Sequence, residues 1–354
     1  PTRHTVVQIA PAVRVALGEA FGMEPGEIST GKIIRALKRL GFDTVFDTNF
    51  GADLTIVEEA HELIDRIKKG GKLPMLTSCC PAWVQFIEHQ FPDLLDVPSS
   101  CKSPQAMVGT LTKTYYADKT GINPSKIRSI AVMPCVAKKA EAARDELNVN
   151  GMKNVDYVIT TRELARMIKE ASIDFTSLEE ESFDNLLGES TGAASIFGAT
   201  GGVIEAATRT AYEMITGKEL DKVDFEVMRG MQGIRKATVD IGGRKLKIGI
   251  AHELGNARKL LESIEKGESD FDAIEIMACP GGCIGGGGQP YHKGDFSVIE
   301  KRRKALYSLD KSMKRRKSHE NVMVQKVYEE FLDHPGSEKA HKLLHTTYSR
   351  KERI

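Results

Sequence analysis

Three runs of strand-forming residues in this chain end on cysteine, and that repeated arrangement limits what the chain can fold into. LPMLT runs into Cys79 and Cys80, IRSIAVMP into Cys135, and DAIEIMA into Cys279, with Cys283 following shortly after. In parallel α/β sheets, sites form at the carboxyl ends of the strands. Strands that end alike therefore predict thiols gathered at one point.

The rest of the pattern supplies the helices that such a sheet needs. In STGKIIRALKRLGF, Ser29 and Thr30 can cap a helix whose apolar stripe is Ile33, Ile34, Leu37 and Leu40, and Gly41 stops it. TVFDT reads as a strand and ADLTIVEEAHELIDRIKK as a second helix, closed by Gly70 and Gly71. VDYVIT and KLKIGIAHE read as further strands, followed by helices from about Thr161 to Lys169 and from near Gly255. This alternation predicts an α/β fold with largely parallel sheet. At 354 residues the chain exceeds one small core, so two lobes are expected, with a boundary near residues 130–160. The loop-like GGGGQPYHKGD divides a catalytic region, 1–290, from a charged helical tail, 291–354. The basic runs Lys301–Lys304 and Lys314–Lys317 read first as solvated helix faces and second as a dock for an acidic partner.

Charge excludes some functions. Fifty basic residues against 49 acidic leave a net charge of +1, which gives no global pull toward nucleic acid or anionic membrane. No apolar run approaches the ~20 residues that cross a bilayer, and the first residues lack the pattern of a secretory signal. A cytoplasmic protein is expected. The chain opens on Pro1 rather than Met, which suits either a minimal protein or a piece of a longer one.

Six cysteines without a secretory signal do not read as a disulfide framework. Their spacing, far apart and embedded in core strands, differs from the paired Cys-x-x-Cys knuckles of structural zinc. Four thiolates from Cys80, Cys135, Cys279 and Cys283 suit a 4Fe-4S cube, with zinc and unrelated buried thiols as the other readings. Gly281 and Gly282 in CPGGCIGGGGQP allow close backbone approach to a bulky inorganic group, or simply a tight turn. No Lys-Ser or Lys-Thr follows, as a phosphate loop would require.

Three motifs carry a resemblance. TSCCPAW (Thr77–Trp83), MPCVAKKAE (Met133–Glu141) and EIMACPGGCIGGGGQP (Glu275–Pro290) resemble, in order and spacing, the three signatures of iron-only (FeFe) hydrogenases. APAVRVA, FDTNFGADLTIVEEA, SSCKSPQ, RKSHEN and a late LLH extend the likeness across nearly the whole chain. The resemblance implies two lobes, each a twisted sheet flanked by helices, with the active site between them. It implies a 4Fe-4S cube on Cys80, Cys135, Cys279 and Cys283, bridged through Cys283 to a two-iron unit carrying CO, cyanide and an aza-dithiolate. The reaction implied is reversible reduction of protons to hydrogen. Electrons come from ferredoxin, directly or through accessory iron–sulfur domains, and dedicated maturation proteins insert the two-iron unit. No Cys-x-x-Cys-x-x-Cys run for such accessory clusters occurs in the chain.

By the same resemblance Cys79 exchanges protons at the two-iron unit, and protons travel through a water to Glu59, then Ser99, then Glu62, with Arg66 near the outlet. Read alone, Glu59, Glu62 and Arg66 share one helix face and suggest a solvated ion-pair surface. Lys138 is expected at a cyanide, Pro11 and Gln105 beside the two-iron unit, and Met133, Met277 and Phe197 packed around it. Ordinary core or surface positions are the plain alternatives for each. Two departures stand out: Ala12 replaces a serine common in relatives, and Ala82 replaces the glycine of TSCCPGW. With Leu76, Pro98 and Ala273, Ala82 bears on the freedom of the loop that carries Cys79. That loop resembles an oxygen-resistant clostridial type, in which Cys79 swings to exclude oxygen. The rival readings are a hydrogenase-like iron–sulfur sensor or assembly protein without catalysis, and a zinc-stabilised binding module.

Overall fold

The structure, a computed structural model, describes residues 3–352. Its strands are, in chain order, β1 (His4–Ile9), β2 (Thr44–Asp47), β3 (Met75–Leu76), β4 (Ile127–Met133), β5 (Tyr157–Thr160), β6 (Ile234–Ile241), β7 (Arg244–His252) and β8 (Ala273–Met277). They form two four-stranded sheets. The first, in the order β2-β1-β4-β5, is parallel throughout. The second, β3-β8-β7-β6, is parallel except for the antiparallel edge strand β6. The expected α/β class holds.

Strands β1 and β6 were absent from the sequence reading. The first lies at the centre of its sheet, between β2 and β4. The second alternates buried and exposed residues, as an edge strand with one wet face does. It joins β7 through Gly242 and Gly243, whose φ values of 64° and 91° suit a two-residue hairpin turn. In contrast, β8 is buried at all five positions. Its one carboxylate, Glu275, accepts from the amides of Gly201 and Ile204, at 2.5 and 3.0 Å. It thereby caps the helix Gly202–Thr216, whose first amides have no partner within the helix.

Helix α1 (Thr30–Arg39) buries Ile33, Ile34 and Leu37 as its stripe predicts. Helix α2 (Thr48–Lys69) begins four residues earlier than the sequence reading. Asp47 caps it, accepting from Asn49 N at 2.8 Å while paired with Arg14 at 2.7 Å. Gly70, at φ 72°, ends it. From Thr48 to Ala60 every residue of α2 is buried, because helices pack on two sides of it: Pro104–Leu111, which touches β4, and Gly202–Thr216, which touches β6 and β8. A Cβ at Gly51 would lie 2.5 Å from the carbonyl of Pro104, so that crossing needs glycine.

The tail corrects the solvated reading for Arg302, Arg316 and Lys317, which are used inside the chain, while Lys301, Lys304, Lys314 and Arg315 stay exposed. In the helix Phe296–Ser312, Arg302 is fully buried. It donates to both carboxylate oxygens of Glu19 (2.7 and 2.6 Å) and to the carbonyls of Ile284 and Pro290 (2.7 and 3.0 Å). Arg316 pairs with Asp310 and Asp224, and Lys317 with Glu213. Arg302 thereby fastens the tail to the loop that carries Cys283, while Arg316 and Lys317 tie it to Asp224 and to Glu213 on the helix Gly202–Thr216. Removing one member of a buried pair typically costs ~3–5 kcal/mol, because the other charge is left uncompensated. We expect Arg302→Ala to lower unfolding free energy by about 3 kcal/mol in urea titrations. A loss under about 1 kcal/mol would mean that the pair is not fastening the tail.

Candidate metal centre

The carboxyl ends of β1, β3, β4 and β8 open on one cavity with about 800 Å³ of atom-free space. All five motif cysteines line it: Cys79, Cys80, Cys135, Cys279 and Cys283. Local sequence sets each in place. Trp83 is fully buried and donates from Nε1 to the carbonyl of Thr77 at 2.7 Å, pinning the turn after β3. Pro81 opens the next helix with Cys80 at its N-cap, and the amide of Ala278 donates to Cys80 Sγ at 3.5 Å. Gly281 and Gly282 have φ values of 70° and 98°. A Cβ on Gly282 would meet Met277 Sδ at 2.7 Å and Thr200 N at 2.8 Å. The turn between Cys279 and Cys283 therefore requires glycine.

The other cavity residues expected from the sequence are also on its wall: Pro11, Gln105, Met133, Lys138, Phe197 and Met277, with Ala12 beside them. Lys138 Nζ donates to both oxygens of Glu141, at 3.0 and 2.8 Å, and to the carbonyl of Cys79 at 3.1 Å. Glu141, inside the second motif but given no role in the sequence reading, thus orients that ammonium. Gln105 Nε2 also reaches Glu141, at 3.0 Å, while Gln105 Oε1 is buried without a partner. Its amide plane is held, and its oxygen is left over.

The donor set fits an iron–sulfur cluster better than zinc. A tetrahedral zinc with Zn–S ~2.3 Å needs sulfurs roughly 3.8 Å apart. Among the described residues, the three-ligand group that closes to within 4.8 Å is Glu62, Cys101 and His345; no three of the four cysteine sulfurs do so. A cube spreads its ligands wider. Desolvation pushes the thiols of Cys135, Cys279 and Cys283 up, Cys279 to about 12, and the charges of neighbouring thiols push them further. Thiolates gathered in this way require cationic compensation, which iron supplies.

Behind Cys79, away from the cavity, lies a line of polar groups. Glu59 is 1% exposed, and neither of its oxygens has a hydrogen-bond partner. Desolvation and then the charge of Glu62 raise it to about 8, outweighing the pull of the nearby Ser78 amide and Ser99 hydroxyl. Ser99 Oγ donates to Glu62 Oε2 at 2.8 Å, and Arg66 Nη2 pairs with Glu62 Oε1 at 2.6 Å. Arg66 also holds the carbonyls of Val97 and Pro98, at 3.0 and 2.8 Å. The shared helix face is therefore a buried-to-surface line, not a solvated ion-pair surface. Burial and then the charge of Glu59 push the Cys79 thiol up, while Lys138 pulls it down. Cys101 lies outside the cavity, buried, with Sγ 3.7 Å from Glu62 Oε2.

Fold and site together define an α/β protein in which strand ends from two sheets meet at a thiol-lined cavity suited to an iron–sulfur cluster. The model of the iron-only hydrogenase large subunit, C-terminal domain, matches residues 3–287, and that of the iron hydrogenase small subunit matches residues 296–351. The chain belongs to the iron-only (FeFe) hydrogenase family. It is 59% identical to the NADP-reducing hydrogenase subunit HndD of Solidesulfovibrio fructosivorans, over all of this chain and 61% of that one. It is 31% identical to Protein NAR1 of Arabidopsis thaliana, over 98% of this chain and 78% of that one. The solved structure of apo FeFe-hydrogenase HydA1 from Chlamydomonas reinhardtii, in a variant form, superposes with a TM-score of 0.89 at 42% identity, covering 99% of this chain and 96% of that one. The chain spans about six-tenths of the length of curated relatives such as the first.

Burial of Glu59 has a measurable consequence. A carboxyl raised in the folded state contributes stability that is full below its unfolded value of ~4.3 and is lost as pH rises through about 8. Glu59→Gln removes that loss. Relative to the parent, the variant should gain on the order of 3 kcal/mol between pH 5 and pH 8 in urea titrations. An equal stability difference at the two pH values would mean that Glu59 is ionised when folded.

Proposed function

We propose that the chain is the catalytic region of an FeFe hydrogenase, reducing protons reversibly to hydrogen. The observation that carries this is the thiol-lined cavity with a line of proton-bearing groups leading away from its non-ligand cysteine. Cys80, Cys135, Cys279 and Cys283 would hold a 4Fe-4S cube, with Cys283 also facing a two-iron CO, cyanide and aza-dithiolate unit. When bound, that cofactor supplies the redox centre at which protons and electrons combine. Lys138, held by Glu141 and the Cys79 carbonyl, would offset the charge of a negatively charged ligand on the cavity wall. The unpartnered oxygen of Gln105 offers an acceptor. Pro11, Met133, Met277 and Phe197 keep the cavity apolar and exclude water.

In this reading Cys79 Sγ holds and releases the proton nearest the cofactor. Glu59 is neutral near pH 7, so it can donate from one oxygen and accept at the other. Ser99 carries the proton on to Glu62, and Arg66 holds Glu62 at the outer end. Ferredoxin would supply electrons, directly or through accessory iron–sulfur domains, and maturation proteins would load the two-iron unit. The likeness to a subunit of an NADP-reducing hydrogenase supports delivery through partner subunits as well. No helix among the described residues is long and apolar enough to cross a membrane, and we place the protein in the cytoplasm. The 1–290 and 291–354 division and a clostridial type belong to the same proposal. So does oxygen exclusion by movement of the Cys79 loop.

The likeness to NAR1 favours a second reading, in which the chain binds clusters without hydrogen chemistry. Cys79→Ala and Glu59→Gln separate the two. In a matured protein we expect both variants to keep the iron content of the parent and to lose hydrogen evolution by 100-fold or more, in the range of a lost acid–base group. Parent-like rates in both would end the relay reading, and a parent without turnover would favour the second. For the oxygen proposal, hydrogen evolution should return after brief air exposure and reduction; permanent loss would contradict it.

A further inference from the structure

Glu62 has more partners than a one-way relay needs. Besides Ser99 and Arg66, its Oε2 lies 3.1 Å from the amide of Ser100 and 3.4 Å from Ser100 Oγ. Ser100 Oγ in turn lies 2.8 Å from Nδ1 of His345, which reaches the site from the tail. On the far side of the ring, His345 Nε2 meets Glu58 Oε2 at 3.1 Å. Glu58 is buried and also accepts from Tyr328 Oη (2.5 Å) and from the amide of Gly336 (3.1 Å). The ring of His345, 6% exposed, stacks on that of exposed His341 at 4.2 Å.

We propose that Ser100, His345 and Glu58 form a second arm of the proton path, joined to the first at Glu62. This rests on the relay reading above. Glu58 accepts at Nε2 and so sets the tautomer, leaving Nδ1 as an acceptor toward Ser100. A protonated Glu62 gives its proton to Ser100 Oγ while the Ser100 hydroxyl proton passes to His345 Nδ1. Glu62 is left as a carboxylate, and His345 becomes an imidazolium paired with Glu58. The reverse transfer returns the proton to Glu62. His345 thus stores a proton one step from the relay and, when charged, holds Glu62 ionised.

The titratable or charged groups around His345 are Glu58 and Glu62 on α2, Arg66 through Glu62, His61 behind Gly336, Cys101 and Lys102 on the adjoining segment, Tyr328 through Glu58, Tyr348 at the carbonyl of Ser99, and His341 on its own helix. Glu62, Cys101 and His345 also close to the spacing of a three-ligand metal site. Arg66 already neutralises Glu62 at 2.6 Å, and Glu58 occupies the outer nitrogen, so proton storage is the better use of these groups.

Two readouts test this. In the protein as purified, His345 is assigned by NMR through the signal lost in His345→Gln. Its titration midpoint should fall by about half a unit or more in Glu62→Gln, which removes a facing carboxylate. In the matured protein, His345→Gln and Ser100→Ala should lower kcat about threefold or more. They should also remove one ionisation from its pH profile, leaving KM for the electron donor unchanged. An unmoved midpoint overturns the coupling. Profiles of parental shape, even at uniformly lower rates, overturn the arm while a slow Glu59→Gln leaves the first path standing. Parent-like rates in both Cys79→Ala and Glu59→Gln overturn both.

Discussion

The constraint on which this molecule depends is the mutual repulsion of buried thiolates. Cys135, Cys279 and Cys283 sit in a largely apolar cavity where burial and neighbouring sulfur charges each oppose ionisation. The fold nonetheless brings them together with Cys80, by aiming the carboxyl ends of two sheets at one another. That arrangement is unfavourable for bare thiolates and favourable for thiolates shared among iron ions. The rest of the architecture serves to hold it: the buried Trp83 behind Cys80, the glycine turn between Cys279 and Cys283, and the Arg302–Glu19 pair behind the loop that follows.

The same low-polarity interior sets the protonation of the carboxyl behind Cys79. Burial and then the nearby charge of Glu62 raise the Glu59 carboxyl. Glu62 itself is held by Ser99, Ser100 and Arg66, so the line passes from an isolated carboxyl to a partly exposed ion pair within one helix. α2 can carry this gradient because its first half is packed on two sides, while its last turns reach solvent. The thiol-lined cavity and the Glu59–Glu62 line are therefore joined through one helix and the loop after β3.

Much of this was legible in the sequence, for physical reasons. Strand runs ending on cysteine made the convergence of thiols visible, since strand ends define the crevice of a parallel sheet. β6 is legible too, through its alternating pattern, whereas β1 opens on residues that are only half buried. Burial of Glu59 was not readable, because i, i+3, i+7 spacing looks the same on a wet helix and a packed one. The basic tail runs misled for the same reason: the partners of Arg302 and Arg316 lie far away in sequence or around a turn. His345 approaches Ser100 across 245 residues, beyond any local pattern.

The central claim is that this cavity carries a two-iron unit bearing CO and cyanide beside the cube. An infrared spectrum of the anaerobically matured protein tests it most directly. The account predicts sharp stretches of metal-bound CO and cyanide, lost when maturation proteins are withheld. Their absence, in a preparation where a control hydrogenase matures normally, would contradict it and leave a cube-binding protein without hydrogen chemistry.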